Sequence, residues 1–415
     1  MRLGYIIPEF PGQTHVWMWR EIVHMREDGA HITIFSTQAP PERDRARHAF
    51  AESAQRETVY LWPRALVEYV GAIAWASATR PSGFVRCLAA AATLPVNKRP
   101  PYKALLPLLA PACLLAREVS RRGIGHLHCH SCANSAILAL MVKRLTGVGY
   151  SMTLNANIEW WGGAMAEKFG EADFTIAITE ALLAQLKRDY KQLCPDQVLL
   201  GRIGVDTRKW TPAAADGNLG ASEGMLRIVT VGRLHPSKGH DVLLRAVALL
   251  TRGGRQMTLR ILGDGPQRSQ LESLAKELGI ADRTRFEGSV SEERIIDEMR
   301  KADIFVLASH AEPLGVVYME AMSMGLATVG TAAGGVGEII TNGKDGLLVE
   351  PRNVEALADA IARLQDEPEL RRALATAGRH TIVSRFDSRF GAKTLRERLE
   401  AQAAKDGTPR QASLS

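Results

Sequence analysis

Two runs of alternating strand and helix patterns, separated by one stretch of small residues, constrain this chain more than any other feature. In the first run, apolar strand patterns at Leu3–Ile7, His31–Phe35, Ile124–His130, Ser151–Leu154 and Phe174–Ile178 alternate with helical patterns such as Val16–Arg26, Ala133–Leu145 and Glu180–Tyr190. In the second, strand patterns at Leu226–Val231, Thr258–Leu262, Arg285–Glu287, Ile304–Leu307, Ala327–Gly330 and Leu347–Val349 interleave with helical patterns at Gly239–Arg252, Arg268–Leu278, Ser291–Lys301, Gly315–Met324 and Val354–Gln365. Strands that alternate with helices predict a parallel sheet covered on both faces. The segment Thr211–Gly224 (TPAAADGNLGASEG) reads as a linker. The expectation is an α/β chain of two doubly wound domains, residues 1–210 and 225–385, facing a central cleft at the carboxyl ends of their sheets. A helical pattern resumes at Phe390–Ala403, and residues 386–403 are expected to cross back to the first domain. The polar tail Ala404–Ser415 is expected to be disordered.

Composition narrows the setting. The apolar fraction of 46% supplies a sizeable core. No basic stretch followed by an apolar one opens the chain, so no signal peptide is expected. The longest strongly apolar stretch, Ala104–Ala116, contains Pro107 and Pro111 and is shorter than the ~20 residues a membrane span needs. Five cysteines, an odd number, point to a reducing compartment, and a cytoplasmic location is expected. The excess of seven positive charges lies in residues 1–215, which hold 25 Lys/Arg against 18 Asp/Glu, while residues 216–415 hold 27 of each. Arg86, Lys98, Arg99, Lys103, Arg117, Arg121 and Arg122 bracket the apolar stretch. Two readings stand: adsorption to the inner face of an anionic membrane, or a core helix with a solvated basic flank. No nucleic-acid-binding module accompanies the charge, and no nucleic-acid partner is expected.

The chemistry concentrates in the second half. Residues 232–239 read GRLHPSKG, which places Arg233 and Lys238 on the loop after a strand, one a rigid fork of donors and the other a point charge. Residues 312–320 read EPLGVVYME, so Glu312 lies in a loop and Glu320 on the helix that follows. The amides of Leu314, Gly315 and Val316 would point beyond that helix start, where free donors and the helix dipole favour phosphate. Carboxylates accept bidentate bonds from vicinal hydroxyls. Two cations, two carboxylates and a helix end together predict a pocket for a sugar nucleotide.

This combination resembles the retaining glycosyltransferases of family 4, the group 1 glycosyltransferases of polysaccharide biosynthesis, which adopt the GT-B fold of two Rossmann-like domains. The motifs GRLHPSKG, ILGDGP, EPLGVVYMEAMSMG, GGVGEII and NGKDGLLV occur in the family's order. The resemblance implies that Arg233 and Lys238 bind the donor diphosphate, Glu312 the donor sugar and Glu320 the ribose. It implies that Gly263, Asp264 and Gly265 lie near the base, and that Gly12, in the turn Pro11–Thr14, approaches the donor phosphates. The first domain would take the acceptor, with Thr14, His130, Asn155 and Glu159 as candidate acceptor-side residues. A nucleotide-diphosphate sugar would be co-substrate to a glycan or lipid-linked acceptor, with no cofactor. No Asp-x-Asp pair occurs, so no metal is expected, and Arg233, Lys238 and Glu312 would carry hexosyl transfer.

One departure stands out. Where the family often has a histidine at the end of the strand Ser151–Leu154, this chain has Asn155, which donates a hydrogen bond but takes no proton. Two alternatives therefore accompany the transferase reading: a catalytically silent nucleotide-sugar-binding subunit, and a GT-B sugar-nucleotide epimerase. A dehydrogenase is disfavoured because no Gly-x-Gly-x-x-Gly follows a strand. The run Gly125-His-Leu-His-Cys-His-Ser-Cys132 puts His126, His128 and His130 on one strand face. Zinc is disfavoured there, because three histidines spread along a strand do not easily surround one ion.

Overall fold

The structure, a computed structural model, describes residues 1–42, 46, 48–96, 100–156, 158, 161–191, 193, 195–212 and 224–405. Most of the linker expected at 211–224 and of the tail expected at 404–415 lies outside them, as does Glu159. The chain divides into two compact units, Met1–Arg202 with Gly391–Ser415, and Ile203–Phe390.

The first unit is built on β1 (Arg2–Ile7), β2 (His31–Ser36), β3 (Val59–Tyr60), β4 (His126–Cys129), β5 (Gly149–Leu154), β6 (Phe174–Ala177) and β7 (Val198–Leu200). All pairings are parallel, in the order β3-β2-β1-β4-β5-β6-β7. The order reverses between β1 and β4, where Leu3 pairs with His126 and Tyr5 with His128. The short strands β3 and β7 escape the sequence patterns because two or three residues carry no measurable period. The same holds for the crossover from β3 to β4. Three helices fill it, Leu66–Thr79, Pro81–Thr93 and Pro101–Arg122, the last running on through Pro107 and Pro111. No helix among the described residues is long and apolar enough to cross a membrane. The final helix, Ser388–Lys405, packs Ala392, Leu395 and Leu399 with Leu3, Ile22 and Ile34 of the first unit, and Arg396 pairs with Asp28 at 2.5 Å.

The second unit contains β8 (Met225–Val231), β9 (Gln256–Leu262), β10 (Thr284–Gly288), β11 (Ile304–Val306), β12 (Ala327–Thr331) and β13 (Leu347–Val349). They form a parallel sheet in the order β10-β9-β8-β11-β12-β13. Ile228, Leu259, Ile261, Ile304, Val306 and Val329 share one buried core with Leu243, Leu244, Val247 and Ile361 from the covering helices. Strands buried on both faces explain why the sequence reads here as short continuous apolar runs. The order reverses between β8 and β11, and chain leaving these strands at their carboxyl ends meets at the point where open α/β sheets bind ligands.

Candidate functional site

In the second unit, three loops converge beyond β8, β11 and β12. The first, Gly232–Gly239, carries Arg233, which is exposed, and ends in the one-turn helix Pro236–Lys238. The second, Leu307–Gly315, lies against it: the His310 amide donates to Ser237 O at 2.7 Å. Gly239 makes this approach possible. A Cβ there would stand 1.9 Å from Ala308 O, and the residue adopts φ +63°. The third loop, Ala332–Gly335, lies on the second, with the Gly335 amide bonded to Glu312 O at 3.0 Å. A Cβ on Gly334 would fall 2.1 Å from Glu312 O. Gly239, Gly334 and Gly335 are therefore spacers that let backbone lie on backbone.

That packing fixes Glu312. Its carboxylate is 8% exposed, pairs with Lys238 Nζ, and has Ser309 Oγ 3.3 Å from Oε2. The sequence predicted a cation for phosphate and a carboxylate for sugar as separate parts; the structure joins them in one ion pair. Lysine has three N–H donors, so two remain when one serves Glu312. Behind Glu312, Thr331 Oγ1 donates to Ser309 O and Tyr318 OH to Leu307 O at 2.7 Å, which ties the loop to β12 and to the following helix. Ser309, Tyr318 and Thr331 went unnoticed in the sequence because each acts through a main-chain carbonyl or a neighbour's carboxylate.

The helix Val316–Ser323 starts at Gly315 (φ +92°) and carries Glu320, which is buried. Among the described residues no backbone carbonyl accepts from the N–H groups of Leu314, Gly315 or Val316. These are the orphan donors of a helix start, aligned with its dipole. Alongside, the turn after β9 folds onto the Arg233 loop: Leu234 N donates to Asp264 O at 3.0 Å and Gln267 N to Leu234 O at 3.1 Å. Gly263 and Gly265 permit this contact, and exposed Asp264 accepts from Gly265 N and from Arg268. Arg233, Lys238, Gly263, Asp264, Gly265, Glu312, Leu314, Gly315, Val316 and Glu320 are thus all carried by chain leaving β8, β9 or β11 at its carboxyl end.

The first unit carries the remaining candidates, also beyond strand ends. Gly12 follows β1, and its amide donates to His15 Nδ1 at 3.0 Å. That bond makes Nδ1 an acceptor and suits a neutral ring: burial, aided by nearby His130, lowers the His15 pKa to about 4. Thr14 is exposed, and Asn155 is half-buried directly after β5. His130, read as an acceptor contact, is instead fully buried, with the edge of Trp17 at 5.1 Å, Tyr5 at 5.3 Å and Glu21 Oε1 2.9 Å from Nε2. Glu21 and Tyr5 gave no sequence signal, because a helix carboxylate and a strand tyrosine look ordinary until the fold stacks them.

Glu21, His128 and His130 bring possible metal-ligand atoms within 4.8 Å of one another. Both nitrogens of His128 already face hydroxyls, Nδ1 that of Ser151 at 2.8 Å and Nε2 that of Thr153 at 3.0 Å. The two cysteines of the same run take no part in this group: Cys129 Sγ donates to Ser135 O, and Cys132 Sγ contacts Met165 Sδ. Burial lowers the pKa of His126 to about 3 and that of His128 far below its ordinary value.

Comparison with known proteins adds the family. Residues 215–381 match the family model described as glycosyl transferases group 1. An alpha-D-kanosaminyltransferase from Streptomyces kanamyceticus is 38% identical over 290 residues, 62% of this chain and 73% of that one. The chain belongs to the group 1 glycosyltransferases. A D-inositol 3-phosphate glycosyltransferase from Saccharomonospora viridis is 36% identical over 251 residues, 57% of this chain and 58% of that one. The match thus spans a little over half the length of this curated relative. The crystal structure of the Anabaena protein HepE in complex with UDP superposes with a TM-score of 0.72 at 16% identity, covering 97% of this chain and 100% of that one. The two parallel sheets with their covering helices are those of the GT-B glycosyltransferases.

Proposed function

We propose that this group 1 glycosyltransferase moves a hexosyl unit from a nucleotide-diphosphate sugar to a glycan or lipid-linked acceptor, with retention of anomeric configuration and without a metal. The observation that carries the reading is the Lys238–Glu312 pair held beside a helix start with orphan amides, at the switch point of the second sheet. In this reading Arg233, Lys238 and the amides of Leu314, Gly315 and Val316 meet the diphosphate. They stabilise the charge that grows as the nucleotide leaves, the work a divalent ion does elsewhere. Glu312, already oriented by Lys238 and Ser309, accepts from a sugar hydroxyl, and Glu320 accepts from the ribose. The turn Gly263–Gly265 lies near the base. The relatives support this: the HepE structure holds UDP, and two curated relatives bear the names of sugar transferases.

The acceptor belongs to the first unit, near Gly12 and Thr14, with Asn155 as a donor to it. Asn155 cannot take a proton, so the leaving phosphate accepts the one from the acceptor hydroxyl. The positive balance of residues 1–215 favours an acceptor at the inner face of an anionic membrane, as in exopolysaccharide or lipopolysaccharide assembly. Radiolabelled UDP-, GDP-, ADP- and dTDP-sugars test the reading. Transfer to an acceptor supports it; interconversion of donors would make the chain an epimerase, and binding without turnover a silent subunit.

A further inference from the structure

The helix Leu66–Thr79 breaks a rule that the rest of the fold obeys. Its sequence, LVEYVGAIAWASAT, is apolar on every side and holds one charge, Glu68. A helix of that kind is ordinarily buried all round. Here only one side is buried, through Tyr69, Ala72 and Ala76. The opposite side presents Leu66 at 77%, Val67 at 75% and Val70 at 56% exposure, continued one and two turns on by exposed Ala74, Ser77 and Ala78. Trp62, 54% exposed just before the helix, stacks on Tyr69 with ring centroids 5.8 Å apart, so a large amphipathic ring extends the same surface. At its 1.5 Å rise per residue the helix is about 21 Å long, and its outer side carries no charged residue. Single exposed apolar residues need no explanation, but a continuous strip does.

The surroundings of the strip are cationic. Arg64 precedes the helix and Arg80 follows it, both exposed, and the Arg117 guanidinium lies 3.3 Å from where a Cβ on Gly71 would stand. From Trp62 through Arg117 the chain holds seven Lys/Arg and a single acid, Glu68, which pairs with Arg64 at 3.6 Å. A second copy of this chain laid on the strip by a two-fold axis would bring cation against cation, which disfavours self-association. A surface that combines negative charge with an apolar interior fits both properties at once.

We propose that Trp62 and the outer face of Leu66–Thr79 form an insertion surface for the headgroup region of an anionic lipid bilayer. The apolar side chains enter the acyl boundary, Trp62 sits at headgroup level, and Arg64, Arg80 and Arg117 meet the lipid phosphates. This rests on the membrane-associated acceptor proposed above, and it specifies the contact: a partly apolar seat rather than charge attraction alone.

The test is co-sedimentation of the full chain with vesicles of phosphatidylcholine, with and without phosphatidylglycerol, at low and high salt. The expected result is binding to the anionic vesicles that weakens in high salt without vanishing, and a blue shift of Trp fluorescence that the Trp62→Phe variant diminishes. Leu66→Asp/Val70→Asp changes only exposed side chains and should keep the thermal midpoint while lowering partition about tenfold or more. Equal binding by wild type and variant, or no binding by wild type, overturns the proposal. So does a dimer in sedimentation velocity that the double substitution abolishes while vesicles have no effect. Thermal shifts with the nucleotide-sugar panel run in parallel separate the two readings. Retained shifts with no vesicle binding refute the bilayer seat alone, whereas absent shifts refute the donor reading whatever the vesicles do.

Discussion

Lys238 and Glu312 stand 74 residues apart in the sequence and form an ion pair beneath the helix start at Gly315, the carboxylate buried and the ammonium half-buried. Removing one partner of such a pair leaves an uncompensated buried charge, which costs about 3 kcal/mol, while neutralising both costs less. Lys238→Met should therefore destabilise the protein by about that amount, and Lys238→Met/Glu312→Gln by clearly less. Urea denaturation of the cycle measures this. A loss in the double variant equal to the sum of the losses of Lys238→Met and Glu312→Gln alone would mean that the pair contributes nothing beyond its separate side chains.

Arg233 offers the complementary case, because it is exposed and its charge is not part of the packed pair. Arg233→Ala should leave stability within about 0.5 kcal/mol. It should lower turnover about a hundredfold, equivalent to ~3 kcal/mol of barrier, if the guanidinium stabilises the leaving diphosphate. A change in turnover under threefold would remove Arg233 from that role.

Gly334 separates backbone packing from chemistry. At φ +57°, with a Cβ placed 2.1 Å from Glu312 O, Gly334→Ala must push the third loop off the second. The cost should be about 1–3 kcal/mol of stability. Nucleotide-sugar binding should weaken with it, because Glu312 loses its position although its chemistry is unchanged. An alanine variant with the wild-type thermal midpoint would contradict the packing described.

Three histidines, two of them buried and His15 half-buried, set a dependence on pH. Burial lowers the pKa of His15 and His240 to about 4 and that of His126 to about 3. In the unfolded chain each titrates near 6.5, so between about 4 and 6.5 the unfolded state binds more protons than the folded one. Stability is complete above that window and falls as pH drops through it, by up to ~1.4 kcal/mol per pH unit for each histidine. Denaturation midpoints at pH 7 and pH 5 should differ accordingly, and midpoints that rise toward pH 5 would reverse the sign.

The two sheets were legible from the sequence because buried parallel strands leave short apolar runs, and the boundaries at β8, β9, β12 and β13 fall within two residues of those expected. Helix Leu66–Thr79 was not, since residues apolar on all sides carry no helical period. At the candidate site, residue types and spacing singled out Arg233, Lys238, Glu312 and Glu320, which the structure carries beyond the carboxyl ends of β8 and β11, but gave no sign that Lys238 and Glu312 form an ion pair. Pairing over 74 residues is a property of the sheet order, which brings β8 beside β11. His130 shows the opposite failure. Its place at a strand end suggested contact with an acceptor, yet Trp17, Tyr5 and Glu21 enclose it, and nothing in the local sequence announces a lid of that kind.

The most direct measurement is calorimetric titration of the full chain with UDP-, GDP-, ADP- and dTDP-sugars in the presence of EDTA, repeated with Arg233→Ala and Lys238→Met. A diphosphate held by guanidinium, ammonium and helix amides predicts binding of at least one donor that the chelator leaves unchanged and that both substitutions weaken about tenfold or more. Binding that requires added Mg²⁺, or that survives both substitutions intact, would contradict it.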